Sequence, residues 1–142
     1  MPPKNKIFGG ILIWKENIVD IKDIKIPFEY VGTFIKNEGI TKKALHCKWI
    51  DNKEIINREN SRVYIITVNG KIKKIGGSIC KGGIKKTISC YESANLGKPS
   101  ISRFSIMKEI EKELDNNNIV NIYVIFINSI IIEVCGYLGK RK

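Results

Sequence analysis

Arg62-Val63-Tyr64-Ile65-Ile66-Thr67-Val68-Asn69-Gly70-Lys71-Ile72-Lys73-Lys74-Ile75-Gly76-Gly77-Ser78 is the stretch whose reading decides the fold. Two β-branched runs flank Asn69-Gly70, a dipeptide suited to a tight hairpin turn because both central positions need positive φ. The first run is apolar around Tyr64. The second alternates isoleucine with lysine, as a half-buried strand does. Two registers are open to this hairpin. A two-residue turn at Asn69-Gly70 pairs Val68 with Lys71 and leaves Tyr64 and Lys74 on opposite faces. A three-residue loop over 68–70, with a bulge at Gly70, pairs Tyr64 directly with Lys74.

Downstream, Ile84, Ile88 and Tyr91 recur at i, i+4 and i+7, which predicts a helix over 84–93. Gly97 and Pro99 mark a loop. Ser102 is a cap for a second helix over 103–114, with Phe104 or Met107, Ile110 and Leu114 as its buried stripe. Residues 119–127 read as a buried strand and 130–134 as another, followed by a frayed basic end over 136–142. Upstream, 7–14 reads as a short strand, and 18–31 as extended chain with Pro27 at a strand edge. Ala44, Leu45, Trp49 and Ile50 are near helical spacing within 40–50, and Asp51 is a cap for a short helix over 52–56. The order predicts an α+β fold: a small central antiparallel sheet flanked by helices, with hairpin, helix, helix and strand as its core. Residues 1–60 are expected as an N-terminal elaboration and 61–142 as the core domain.

Composition narrows the function. In 142 residues, 25 Lys and Arg oppose 14 Asp and Glu, a net charge of +11 that suits a polyanion partner, nucleic acid first. The 43% apolar content is ordinary for a globular domain. The four cysteines, Cys47, Cys80, Cys90 and Cys135, form no C-x-x-C pair, and His46 is the sole histidine, so a structural zinc site is not expected. Free thiols in a reducing compartment are, which suits a cytoplasmic or nucleoid-associated protein rather than a secreted one. No apolar run reaches the ~20 residues that span a bilayer: 7–14 is short, and Asn121, Asn128 and Ser129 interrupt 119–134. The pairs Gly76-Gly77 and Gly82-Gly83 do not make a nucleotide-binding loop. Ile84 stands where a Walker lysine is required, and no βαβ unit encloses either pair.

The hairpin resembles the GIY-YIG nuclease superfamily, whose motif runs from a strand ending in Ile-Tyr to a second strand with Tyr-Ile-Gly and then a basic helix. Here Arg62-Val63-Tyr64 stands for the first half and Lys74-Ile75-Gly76 for the second, with lysine in place of the second tyrosine. A type II restriction endonuclease branch is similar in this respect, with the form V-Y…G-K-I-x-K-I-G-x-S. The likeness runs over about 62–127, and against the family the chain is short of its last helix.

The resemblance implies divalent-metal-dependent hydrolysis of a DNA phosphodiester. Tyr64 would activate or orient the attacking water, and Lys74 would lower the phenol's pKa or steer that water. The family's helix carries an arginine against the scissile phosphate; here Lys85 or Lys86 would substitute, without the bidentate fork. Tyr91 is the nearest counterpart of the restriction branch's helix tyrosine. Lys71, Lys73, Lys85 and Arg103 are expected to contact double-stranded DNA, and a restriction enzyme's symmetric site implies a homodimer. The implied cofactor is Mg²⁺ or Mn²⁺, normally held by a glutamate on a later helix. Glu133 is the only acidic residue in the tail, and Glu109, Glu111 and Glu113 read as a solvated helix face. Either Glu133 serves by another geometry, or the chain is shortened, or it is a nucleic-acid-binding module that does not cut.

Overall fold

The computed structural model describes residues 7–8, 11–12, 19–39 and 42–127. The expected strand at 130–134, the basic end at 136–142, Glu133 and Cys135 lie outside the described residues. Within 7–14, β1 (Ile7–Phe8) and β2 (Ile11–Leu12) pair antiparallel as a small ribbon.

Five further strands form one antiparallel sheet: β3 (Glu29–Lys36), β4 (Leu45–Trp49), β5 (Arg62–Val68), β6 (Lys71–Ser78) and β7 (Val120–Phe126). Their spatial order is β4-β3-β7-β5-β6. Three helices complete the fold: α1 (Lys53–Asn57), α2 (Gly83–Glu92) and α3 (Ile101–Asp115). The architecture is therefore α+β, with the hairpin, helix, helix, strand succession expected from the sequence. β3 and β4, both within the first sixty residues, belong to the same sheet as the hairpin.

Each face of the sheet has its own packing. Tyr64, Ile66 and Val68 of β5 alternate toward the helices, where they meet Ile84, Ile88, Ile106, Met107 and Ile110. Ile65 and Ile72 point the other way, against Ile21. That second face is covered by a 3-10 turn, Ile21–Asp23, whose start is tied to the hairpin: Ile21 N–H donates to Gly70 O and Ile72 N–H to Val19 O, both at 2.8 Å. A buried carboxylate fastens α2 to the far side of the sheet, where Glu92 Oε2 accepts from the Cys47 N–H at 2.8 Å.

The hairpin departs from both registers open to it. Asn69 (φ 50°) and Gly70 (φ 87°) form the two-residue turn, and Val68 pairs with Lys71. The three-residue loop is not used, and Tyr64 does not face Lys74 directly. The register instead slips inside β6: Thr67 pairs with Ile72 but Ile66 pairs with Lys74, so Lys73 is an extra, bulged residue. Beyond it Tyr64 stands opposite Gly76. A one-residue slip moves every later side chain to the other face. The bulge therefore returns Lys74 to the face of Ile66 and Tyr64. A Cβ on Gly76 would lie 2.6 Å from Tyr64 Cε2, so the motif glycine is the floor on which the phenol ring rests.

Elsewhere three expectations are corrected. Residues 45–49 are a strand rather than part of a helix, because Leu45 and Cys47 are buried in alternation with exposed His46 and Lys48. The short helix is capped by Asn52, which accepts from Ile55 N–H, not by Asp51. The cap of α3 is Ser100, and its buried stripe is Ile106, Met107 and Ile110, with Phe104 exposed. The expected cap, Ser102, lies two residues further along, inside the helix, and of the alternatives Phe104 and Met107 it is Met107 that is buried.

Replacing Gly76 with alanine is expected to destabilise the fold by about 1–3 kcal/mol, the usual cost of forcing an added methyl into a packed site. Urea denaturation should show a lower midpoint at unchanged slope; a midpoint equal to the unaltered protein's would mean that the ring does not rest on this glycine.

Candidate active site

A cleft of about 740 Å³ opens between the hairpin, α2 and α3. Its walls include Tyr64 of β5, Lys74 of β6, Lys86 and Tyr91 of α2, and Arg103 of α3. Each element supplies its group for a local reason. Tyr64 is fixed by the strand's period and by Gly76 beneath it. Lys74 is delivered by the bulge. Gly82 and Gly83 both have positive φ, and a Cβ on Gly83 would collide with Ile56 O, so α2 starts close against α1 and its axis is set there. Ile84, Ile88 and Tyr91 then share the buried side of α2. Arg103 lies in the first turn of α3, where its N–H donates to the capping Ser100 Oγ at 3.2 Å.

At the base of the cleft, the two phenols share one hydrogen bond, with Tyr64 Oη and Tyr91 Oη 2.5 Å apart. Their rings meet edge-on, 6.1 Å between centroids. Tyr91 is thus in contact with Tyr64 despite its shifted place in the helical register. Burial pushes the Tyr64 phenol above its usual range, with the Tyr91 bond and the charge of Arg103 pulling the other way. Burial raises Tyr91 as well. The expected lowering of the Tyr64 pKa by Lys74 is not what the site does. Burial dominates at the phenol, and burial likewise lowers Lys74 toward its neutral form.

Of the residues expected to touch DNA, Arg103 lines the cleft, whereas Lys71, Lys73 and Lys85 do not. Lys71 instead sits at the hairpin tip in an ion pair with Asp20 at 3.4 Å. Lys73 is the bulged residue, and Lys85 is exposed on α2. Arg103 brings a guanidinium to the cleft from the second helix, and nothing in the local sequence marks it apart from its place after a serine cap.

The donor set does not fit a hard divalent ion. Among the described residues no group of three or more His, Cys, Asp or Glu is placed to hold a metal. The cleft walls carry the cations Lys74, Lys86 and Arg103 and the hydroxyls of Ser78, Thr87, Ser89, Ser100 and Ser102, with no carboxylate. Mg²⁺ and Mn²⁺ require anionic or carbonyl oxygens. Such walls favour an anion, and bring cations from two helices and a strand to one point.

No family model matches this chain, and no curated protein does. Among solved structures it is similar to a mutant of bacteriophage T4 EndoII, with a TM-score of 0.55 and 20% identity, over 75% of this chain and 72% of that one. The likeness is one of fold. The sheet and helices of this chain are GIY-YIG-like. Among the described residues no helix is long and apolar enough to cross a membrane.

Two measurements probe the phenol pair. Tyr64→Phe and Tyr91→Phe should each cost about 1–3 kcal/mol by leaving a buried hydroxyl unpaired, and the double substitution less than their sum; strict additivity would show that the two are not coupled. The raised phenol pKa values also set a pH dependence. An ordinary tyrosine ionises near 10.0, the value expected on unfolding, whereas the folded pair still holds its protons there. The folded state binds more protons above that pH, so stability is intact below pH about 10 and falls as pH rises through it. Denaturation midpoints across that range should drop less in Tyr64→Phe than in the unaltered protein.

Proposed function

We propose that this chain is a DNA endonuclease of the GIY-YIG type that hydrolyses a phosphodiester, and that its mode is restriction-like. The observation that carries the reading is Tyr64 and Lys74 on one face of the hairpin, with Lys86 and Arg103 facing the same cleft. The fold neighbour's name, EndoII, and the net charge of +11 support the same substrate class.

The chemistry assigned to each group follows from its surroundings. A phenolate is disfavoured at Tyr64 by burial, so the neutral phenol orients the attacking water rather than ionising beforehand. The Tyr91 hydroxyl fixes the direction of that phenol. Lys74 steers the water, and burial lowers its pKa, so the neutral amine able to take the water's proton is more populated than in an ordinary lysine. Arg103 and Lys86 bear on the non-bridging oxygens, where charge accumulates in the transition state. Arg103 brings the planar fork that a lysine lacks. A second reading, a binding module on the same fold that does not cut, is favoured by the lack of a carboxylate on the described cleft walls.

Supercoiled plasmid with Mg²⁺, with Mn²⁺ and with EDTA separates the two. An endonuclease nicks or linearises the plasmid in at least one condition, and Tyr64→Phe slows cutting by about 10²-fold or more while still binding duplex. Salt-dependent retention of duplex without cutting in any condition selects the binding module. Absence of retention even at low salt defeats both. In the same binding assay Arg103→Ala should reduce the slope of log affinity against log salt by about one phosphate contact. Sedimentation of the protein with a short duplex would test the homodimer that a symmetric restriction site calls for.

A further inference from the structure

A buried cation beside the cleft has no acidic partner among the described residues. Arg62, the first residue of β5, is 1% exposed. Its Nη2 donates to Cys80 O at 2.9 Å. Its Nη1 is directed among Thr87 Oγ1 at 2.9 Å, Ser78 Oγ at 3.3 Å and Cys80 Sγ at 3.6 Å. The Nε has no hydrogen-bond partner at all. Among the described residues the ion pairs are Lys36–Asp115, Arg58–Glu54, Lys71–Asp20 and Lys108–Glu111, and none includes Arg62. A guanidinium remains charged at any physiological pH, and a buried charge without compensation is strongly penalised. Of the three side chains at Nη1, the hydroxyls of Ser78 and Thr87 cannot ionise. The thiol of Cys80 can.

Cys80 is also the accessible member of this group. It is half-exposed and lines the cleft. The Ser78 hydroxyl donates to its sulfur at 3.1 Å, and the Thr87 hydroxyl lies 3.5 Å away. We propose that Cys80 is a covalent modification site, a cleft-lining thiol beside buried Arg62 that takes a small soft electrophile entering through the cleft. This assignment does not depend on whether the cleft cuts DNA.

The surroundings agree in direction. Hydrogen bonds from Ser78 and Thr87, then the Arg62 guanidinium, pull the Cys80 thiol below its usual range. Burial pushes Cys47 and Cys90 up. Of the other titratable groups on the cleft walls, Lys74 from β6, Lys86 from α2 and Arg103 from α3 are cationic and favour a thiolate, while Tyr64 from β5 and Cys90 and Tyr91 from α2 are held protonated by burial. In the reaction the thiol proton is lost to solvent first. The sulfur lone pair then attacks the electrophilic carbon, a C–S bond forms, and the leaving group departs with the bonding electrons.

Iodoacetamide is the probe, with iodide as leaving group, applied to the full folded chain and read for each cysteine by peptide mass spectrometry. Cys80 is expected to alkylate about tenfold faster than Cys90 at neutral pH, with a rate profile that inflects below the ordinary cysteine value of about 8.5. Ser78→Ala and Thr87→Val should each slow it and raise the inflection, and Arg62→Met should do so most. The first two keep the test decisive if the arginine variant fails to fold, which circular dichroism would reveal. The proposal is overturned if Cys80 reacts no faster than Cys90, or if its rate inflects at the ordinary value.

Discussion

One extra residue in one strand governs the site. Without the bulge at Lys73 the tight turn at Asn69-Gly70 would send Lys74 to the far face, among Ile65 and Ile72, and the cleft would lose a cation from its sheet wall. With it, the turn keeps its favoured two-residue form while Lys74 and Tyr64 look in the same direction. The demands of local turn chemistry and of the site conflict by one residue, and the bulge absorbs the conflict. Gly76 follows from the same register, because the residue facing Tyr64 must have no side chain for the ring to lie across it.

The cleft that results is one-sided in charge. Three cations come from β6, α2 and α3, and buried Arg62 stands just behind them. Cations so close together repel one another, and their long side chains and partial exposure let water screen that repulsion. An anion held in the cleft would relieve it instead. The phenols below are the opposite kind of group: buried, neutral and bonded to each other.

Much of this was legible in the sequence, for identifiable reasons. Asn69-Gly70 has few conformational alternatives, and the β-branched runs beside it fix both strands. Ile84, Ile88 and Tyr91 are spaced so regularly that the face of α2 followed directly. The bulge at Lys73 left one sign, the Lys73-Lys74 doublet that breaks the alternation of isoleucine and lysine, and a doublet alone does not say where the extra residue goes. β4 was misread because four apolar residues over 44–50 fit a helical spacing as well as a strand, and only pairing with β3 decides. Arg103 was read as a peripheral contact because the loop over 93–100 that brings α3 back to the hairpin leaves no periodic trace.

β7 lies between β3 and β5, although it comes last in sequence of the seven strands among the described residues. The β3-β4 pair and the β5-β6 pair have no direct contact as neighbouring strands; each waits for residues 120–126 to bridge them. During synthesis the nascent chain can close both hairpins locally, yet the sheet that backs the cleft is completed only when this late segment slots between them. Closure of the sheet is thus the last step that the described strands allow, since neither hairpin has its central neighbour until residues 120–126 are in place.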